Sequence, residues 1–335
     1  MQKVHNLTVL GTIGERKAIE LIIKQLEKMR KMPVPFGDDV SAWDIGNGNL
    51  VVLKTDMLVD KTDVPLGMNL WQAARKAVVM NVSDFAAKGV KPNAILVSLG
   101  LPRKLQEKDI EEIGKGLNAG ARECNSYVIG GDTGEAADLV ISISLFGMAK
   151  KDELMLRSGA KPGDVVAVTG FFGKTSAGLK ILLSNLKVPE TIRRILVESV
   201  LMPHARLKEG LALNRTGAVT ASIDSSDGLA WSLHEIAAAG NVGFVIDRLP
   251  IANEVKRLAE VTSLEPVELS LYGGEEYELV LTIKPELWNK AEGAVQKAGG
   301  KLLKIGKVIA EKSVVLKMDG KEIVVEPRGY EHFKT

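Results

Sequence analysis

The sequence predicts a mixed α/β (α+β) fold in two domains, 1–150 and 151–335. Three observations carry this expectation. A chain of 335 residues is too long for one average hydrophobic core and about right for two. Short apolar runs, many ending in glycine or an acid, alternate with segments of helical period in both halves. Between the halves, 149–163 is charged, carries glycine and proline, and ends in the turn former Lys161-Pro162-Gly163-Asp164. The composition, 45% hydrophobic and 26% charged, is ordinary globular material.

In the first half, Ala18, Ile19, Ile22, Ile23, Leu26 and Met29 fall at helical spacing. They predict an amphipathic helix over 15–30, stopped by Pro33 and Pro35. The next stretch holds Gly37-Asp38-Asp39, a hairpin turn at Gly46-Asn47-Gly48-Asn49, and an apolar strand over 50–53. Thr55-Asp56 follows where that run ends. Asn69 caps a helix over 70–88. Asp84 shares a face of that helix with Asn81 and Ala77, among small and apolar neighbours. It is therefore either a buried acid capping a neighbouring loop or a functional one. A strand over 94–99, a helix over 107–123 and a strand over 127–129 lead to Gly130-Gly131-Asp132-Thr133. Two glycines there allow close approach to the backbone and present Asp132 at the strand end; a plain tight turn is the alternative. A further strand spans 138–148, with Ile141, Ile143 and Leu145 alternating against other residues.

In the second half, a strand over 165–169 meets Gly170-Phe171-Phe172-Gly173-Lys174-Thr175. This fails the P-loop spacing, because Val168 stands where the motif needs its first glycine. Helices punctuated by Pro189 and Pro203 run through 186–215. Ile223-Asp224-Ser225-Ser226-Asp227-Gly228 is a strand end entering a helix at Leu229. Asp224 and Asp227 are close enough there to share a cation, while Ser226 or Asp227 as the helix N-cap is the alternative. Strands over 243–246 and 279–283, helices over 254–260 and 287–298, and three short strands near 303, 314 and 323 complete the chain. Arg157, in the linker, is either solvated or able to reach a phosphate in a cleft between the domains.

Composition excludes several function classes. A net charge of +2 offers no field for nucleic acid or a membrane surface. One cysteine, Cys124, rules out an internal disulfide and a cysteine-cluster metal site. The four histidines are scattered. No apolar run approaches the roughly 20 residues that span a bilayer, and MQKVHNLTVL lacks a continuous apolar stretch, so the expected location is the cytoplasm. Any metal must be held by oxygens, which favours Mg²⁺, Ca²⁺ or Mn²⁺. The candidate acids are Asp38, Asp39, Asp56, Asp84, Asp132, Asp224 and Asp227. Carboxylates gathered in one cleft repel unless cations compensate. Mg²⁺ held by a few carboxylates and substrate phosphates is the arrangement of phosphoryl transfer.

The same residues resemble a known family. GDD at 37–39, TD at 55–56, NVSDFAAKGVKP at 81–92, GGDT at 130–133, RSGAKPGD at 157–164, VTG at 168–170, DSSDGL at 224–229, GGEEYEL at 273–279 and GYEHF at 329–333 occur in the order seen in thiamine-monophosphate kinases. These belong with aminoimidazole ribonucleotide synthetase, selenophosphate synthetase and the hydrogenase maturation factor HypE. The resemblance implies a two-domain PurM-like fold, with an N-terminal sheet forming a β-barrel across a homodimer interface and a C-terminal α/β domain. It implies ATP as co-substrate, several Mg²⁺ ions, and transfer of the γ-phosphate to thiamine monophosphate. Carried over by position, Asp39, Thr55, Asp56, Asp84, Asp132, Asp224 and Asp227 are the implied metal ligands. Gly131, Asp132, Arg157 and Ser226 are the implied nucleotide contacts, and no acid or base is assigned. The implied acceptor contacts are Asp63, Glu275 and Pro327. The chain departs from the family at Asp63, often histidine; at Pro327, often tryptophan; at Glu276, often aspartate; and at Lys54. The alternatives are a relative acting on another phosphorylated acceptor, or a non-catalytic nucleotide-binding regulator. Selenophosphate synthetase and HypE chemistry would need a cysteine near one end of the chain, which Cys124 is not.

Overall fold

A computed structural model describes residues 9–184 and 186–333. The first half runs α1 (Leu10–Ile23), β1 (Ser41–Asp44), β2 (Asn49–Val59), the single-turn α2 (Asp60–Asp63), α3 (Leu70–Lys88), β3 (Pro92–Leu101), α4 (Glu107–Glu123), β4 (Val128–Glu135) and β5 (Val140–Lys150). Its five strands form one sheet in the order β1-β2-β5-β3-β4. The hairpin at Asn47 pairs β1 with β2, while β3 and β4 run parallel because α4 supplies the crossover that a parallel pair needs.

The second half runs β6 (Val165–Val168), α5 (Lys174–Ser184), α6 (Glu190–Leu201), α7 (Leu207–Asn214), β7 (Val219–Asp224), α8 (Leu229–Gly240), β8 (Gly243–Ile246), α9 (Asn253–Val261), α10 (Pro266–Tyr272), β9 (Leu279–Ile283), α11 (Trp288–Lys297), β10 (Leu303–Ile309), β11 (Val314–Met318) and β12 (Lys321–Val324). These strands form a seven-stranded sheet in the order β12-β11-β8-β10-β6-β9-β7. Both sheets are open, so among the described residues no closed barrel forms within one chain.

Helix α3 joins the halves. Asn69 accepts from the Gln72 backbone N–H at 2.8 Å while the Gln72 side chain accepts from Asn69 N–H at 3.0 Å, a reciprocal cap. Ala73, Ala77 and Phe85 enter the core of the first sheet, while Ala86 and Ala87 pack with Ala167, Leu213, Leu279 and Leu281 of the second half. A Cβ at Gly210 of α7 would run into the carbonyl oxygen of Ala86, so glycine lets α7 cross α3 closely. The helix is buried nearly all round and has no solvated face, although it carries Arg75, Lys76, Asp84 and Lys88. That packing brings the last turns of α3 to the end of β7.

The first sheet has one face on α3 and α4. Its other face exposes Trp43, Leu53, Met57, Leu96 and Met148. Among the described residues no helix is long and apolar enough to cross a membrane.

Several expectations are corrected. The first helix spans Leu10–Ile23 rather than 15–30; it is kinked at Gly14 (φ 74°) and ends well before Pro33. Thr55 and Asp56 lie inside β2, which continues to Val59, because the polar residues alternate with the partly covered ones instead of ending the strand. Gly130-Gly131-Asp132-Thr133 lies within β4 and is not a turn after it. A Cβ at Gly131 would meet the carbonyl oxygen of Val97, so that glycine serves close strand pairing. The N-cap of α8 is Gly228, with no side-chain cap, so neither Ser226 nor Asp227 fills that role. Helix α10 was not anticipated.

Candidate active site

Three carboxylates converge where the halves meet. Asp39 comes from the loop before β1, Asp84 from α3 and Asp224 from the end of β7. All are buried, and one oxygen of each lies within 4.8 Å of the others. Around Asp39, the Asp38 carboxylate accepts from Asp39 N–H at 2.8 Å and Arg157 N–H at 3.0 Å, closing the loop onto the linker. Asp224 accepts from Ser83 Oγ at 2.6 Å, one residue before Asp84.

Three basic side chains surround this trio. Lys88, fully buried, places Nζ 2.7 Å from both Asp38 Oδ1 and Asp39 Oδ2, and donates to Ser222 O at 2.7 Å. Arg157 donates through Nε to Asp39 Oδ1 at 2.8 Å, through Nη2 to the same carboxylate, and through Nη1 to Gly37 O at 2.7 Å. Lys54 Nζ lies 3.0 Å from Asp84 Oδ2. Burial alone would push Asp39 up, but the charges and hydrogen bonds of Lys88 and Arg157 outweigh it and hold the carboxyl below its usual range. Asp84 is pushed well up, by burial first and then by Asp224, Asp39 and Asp56, against the opposing charge of Lys54. Burial, reinforced by Asp39, raises Asp224 to about 6. For Lys54, burial favours the neutral amine, yet Asp84 and Asp56 together outweigh it and hold the ammonium charged. These directions agree: one lysine does not neutralise every acid on the Asp84–Asp224 side.

Among the described residues the other acidic candidates are not gathered into this trio. Strand alternation puts exposed Thr55 on the face of β2 opposite to Asp56, and Thr55 Oγ1 donates to Ile143 O at 3.1 Å. Asp56 acts electrostatically on Lys54 and Asp84, while its Oδ1 accepts from Met57 N–H at 2.8 Å. Gly131 and Asp132 lie on the exposed edge strand β4. An open cleft of about 290 Å³ runs beside Asp224 and is lined by Arg157, Ser226, Asp227, Trp231, Tyr330 and Arg16. In it, burial and then Glu15 raise Asp227 to about 6.

Lys76 brings two acceptor candidates together. Its buried Nζ lies 2.5 Å from Glu275 Oε1 and donates to Asp63 O at 2.8 Å, while Asp63 Oδ2 accepts from Val59 N–H at 2.7 Å. Glu275 has φ 62° and Tyr277 φ 52°, left-handed values that are strained for side chains of their size. They are held by Glu275 N–H donating to Ser226 O at 2.6 Å and Tyr277 N–H to Ser225 O at 2.9 Å, which ties 274–278 to the Asp224 loop. Pro327 lies in a segment held by Arg328, which lies 3.4 Å over the Tyr272 ring and 2.6 Å from Glu268 Oε1. An aromatic face in the cleft comes instead from Trp231, with the Arg16 guanidinium 3.5 Å over its ring.

Sequence reading passed over Lys76, Lys88 and Trp231, and noted Lys54 only as a departure. A signal was present: Lys76, Met80, Asp84 and Lys88 recur every four residues along one line of a helix that has no polar face. Burial raises the Cys124 thiol to about 11, so it offers no nucleophile.

Residues 37–149 match the family model for the N-terminal domain of AIR synthase related protein, and residues 161–319 match the model for its C-terminal domain. The thiamine-monophosphate kinase of Nitrosopumilus maritimus is 35% identical over 305 residues, covering 91% of this chain and 96% of that protein. That of Pyrococcus abyssi is 38% identical over 312 residues, covering 91% of this chain and 95% of that one. A solved structure described as AaThiL complexed with AMPPCP and TMP superposes with a TM-score of 0.84 at 30% identity, covering 98% of this chain and 99% of that chain. Both halves are matched in order and the relatives align over nearly their whole length, so this chain belongs to the thiamine-monophosphate kinase family of AIR synthase related proteins.

Proposed function

We propose that this chain transfers the γ-phosphate of ATP to thiamine monophosphate, giving thiamine diphosphate. The observation that carries this reading is the buried trio Asp39, Asp84 and Asp224 beside an open cleft, in a chain of this family. Hard oxygen donors, close together and raised in pKa at Asp84 and Asp224, fit Mg²⁺. When bound, Mg²⁺ supplies positive charge for the phosphate oxygens. Thr55, Asp56, Asp132 and Asp227 are the further oxygen ligands that the family resemblance implies. Gly131 and Ser226 take the nucleotide, and Arg157 stands as a fixed cation at the phosphate end. The chain's work is to orient donor and acceptor in line, and a loose transition state needs no general base. Glu275, held by Lys76 next to Asp63, is the polar end of the acceptor subsite. Tyr330, beside Gly274, provides aromatic surface near Glu275, where Pro327 provides none.

The active form is read as a homodimer in the cytoplasm, with residues 1–150 binding nucleotide and dimerising and 151–335 completing the site. Support for the dimer is the uncovered sheet face of Trp43, Leu53, Met57, Leu96 and Met148, an apolar surface that a second copy would cover by extending the open sheet toward a barrel. Purified protein with ATP, Mg²⁺ and thiamine monophosphate is expected to form thiamine diphosphate. No product across pH and metal conditions would overturn the acceptor assignment, and ATP consumption with a different phosphorylated acceptor would favour another branch of the superfamily.

A further inference from the structure

Lys54 is a cation set inside a group of acids. It projects from β2 on the same face as Asp56, and its Nζ lies 3.0 Å from Asp84 Oδ2. The acids acting on it are Asp84, Asp56 and Asp224, in that order. The other two basic groups are committed elsewhere: Lys88 to Asp38 and Asp39, and Arg157 to Asp39, Gly37 and Glu235. Among the described residues, the Asp224 carboxylate accepts a hydrogen bond from the uncharged hydroxyl of Ser83, and the cations acting on it at a distance are Lys54 first and then Arg157. The Asp84–Asp224 side of the trio therefore has Lys54 as its permanent counter-charge.

We propose that Lys54 is a resident cation of the phosphoryl-transfer centre, occupying the place of one divalent ion beside Asp84 and lowering by one the number the site takes. The proposal rests on the reading of the trio as the metal site. An ammonium tethered to β2 remains when nucleotide and metal leave, so it limits repulsion between Asp84 and Asp224 in the empty enzyme. It carries one charge where Mg²⁺ carries two, so it offsets less of the carboxylate charge than the ion whose place it takes. A lysine serving only as a structural pin would leave ion stoichiometry untouched.

The test is Mn²⁺ binding to the full chain with a saturating non-hydrolysable ATP analogue, followed by the electron paramagnetic resonance of free Mn²⁺. The variants are Lys54→Ser, which removes the charge and leaves space and an oxygen, and Lys54→Arg, which keeps the charge. Lys54→Thr serves as the second neutral variant, because a β-branched residue suits the strand. Both neutral variants are expected to bind one more Mn²⁺ per chain than wild type. Their melting temperature should also rise more on adding Mg²⁺, while Lys54→Arg should follow wild type. Equal, non-zero stoichiometry in wild type and neutral variants overturns the role of Lys54 and leaves the metal site standing. No Mn²⁺ bound by any of them overturns the metal reading and this role together.

Discussion

Replacing Lys88 by Met tests whether the centre is held by charge. The methionine keeps most of the aliphatic stem and removes the ammonium. That ammonium is fully buried, 2.7 Å from Asp38 Oδ1 and from Asp39 Oδ2, and bonded to Ser222 O. Removing one partner of a buried ion pair costs about 3–5 kcal/mol, because the other charge stays buried without compensation. Arg157 still donates to Asp39 at 2.8 Å, so the lower end, about 3 kcal/mol, is expected. The measurement is chemical denaturation at pH 7 in a chelator, following the first unfolding transition. Its pH dependence has a definite sign. Asp39 is held below its ordinary 3.8, so its ionised form contributes stability that is present above 3.8 and lost as pH falls through the folded-state value. The gap between wild type and Lys88→Met should therefore narrow in acid. Mg²⁺ should recover part of it at pH 7 by supplying charge to the same carboxylates. A loss under about 1 kcal/mol at pH 7, or a gap that widens in acid, would refute the argument.

Asp84→Asn and Asp224→Asn should each lower kcat by about 10²-fold or more with circular dichroism unchanged, because each removes a charged oxygen ligand from the trio. Tyr330→Ala should raise KM for thiamine monophosphate by roughly 2–10-fold, the range expected for one lost stacking face. Glu276 is raised from 4.5 to about 7, chiefly by burial, so the folded chain binds the extra proton and loses stability as pH rises from 4.5 to 7. Its partial solvent contact reduces the expected effect to about 1–2 kcal/mol, and Glu276→Gln, which keeps the acceptor for Thr175 N–H, should flatten that part of the melting-temperature profile.

Much of the fold was legible because local chemistry was strong. Asn69 and the helical period gave α3 its bounds, Asn47-Gly48 gave the first hairpin, and Ile223-Asp224 gave the end of β7. Local signals misled where a residue's partner was distant in sequence. At Gly130-Gly131 the close backbone approach is found at Gly131, against the carbonyl of Val97, but the tight-turn alternative is not, because the segment lies within β4. The apolar positions of α1 implied a packed helix to residue 30, while the chain turns after Ile23 and leaves Ile19 and Ile22 exposed.

The site divides the same way. The order of its motifs placed the chain in its family and named Asp39, Asp84 and Asp224, because acids after glycines or among small helical residues are visible in one dimension. Sequence could not say which acids meet, since Asp39 and Asp224 are separated by most of the chain and come together only through the packing of α3 on β7. Nor could it show the counter-charges. A lysine in a strand or helix ordinarily reads as solvated, and only burial turned Lys54, Lys76 and Lys88 into partners of Asp84, Glu275 and Asp39. Composition and spacing determined the chemistry this chain can hold; the crossing of the two halves decided where its charges stand, because electrostatic interactions depend on distance and desolvation, which sequence order does not contain.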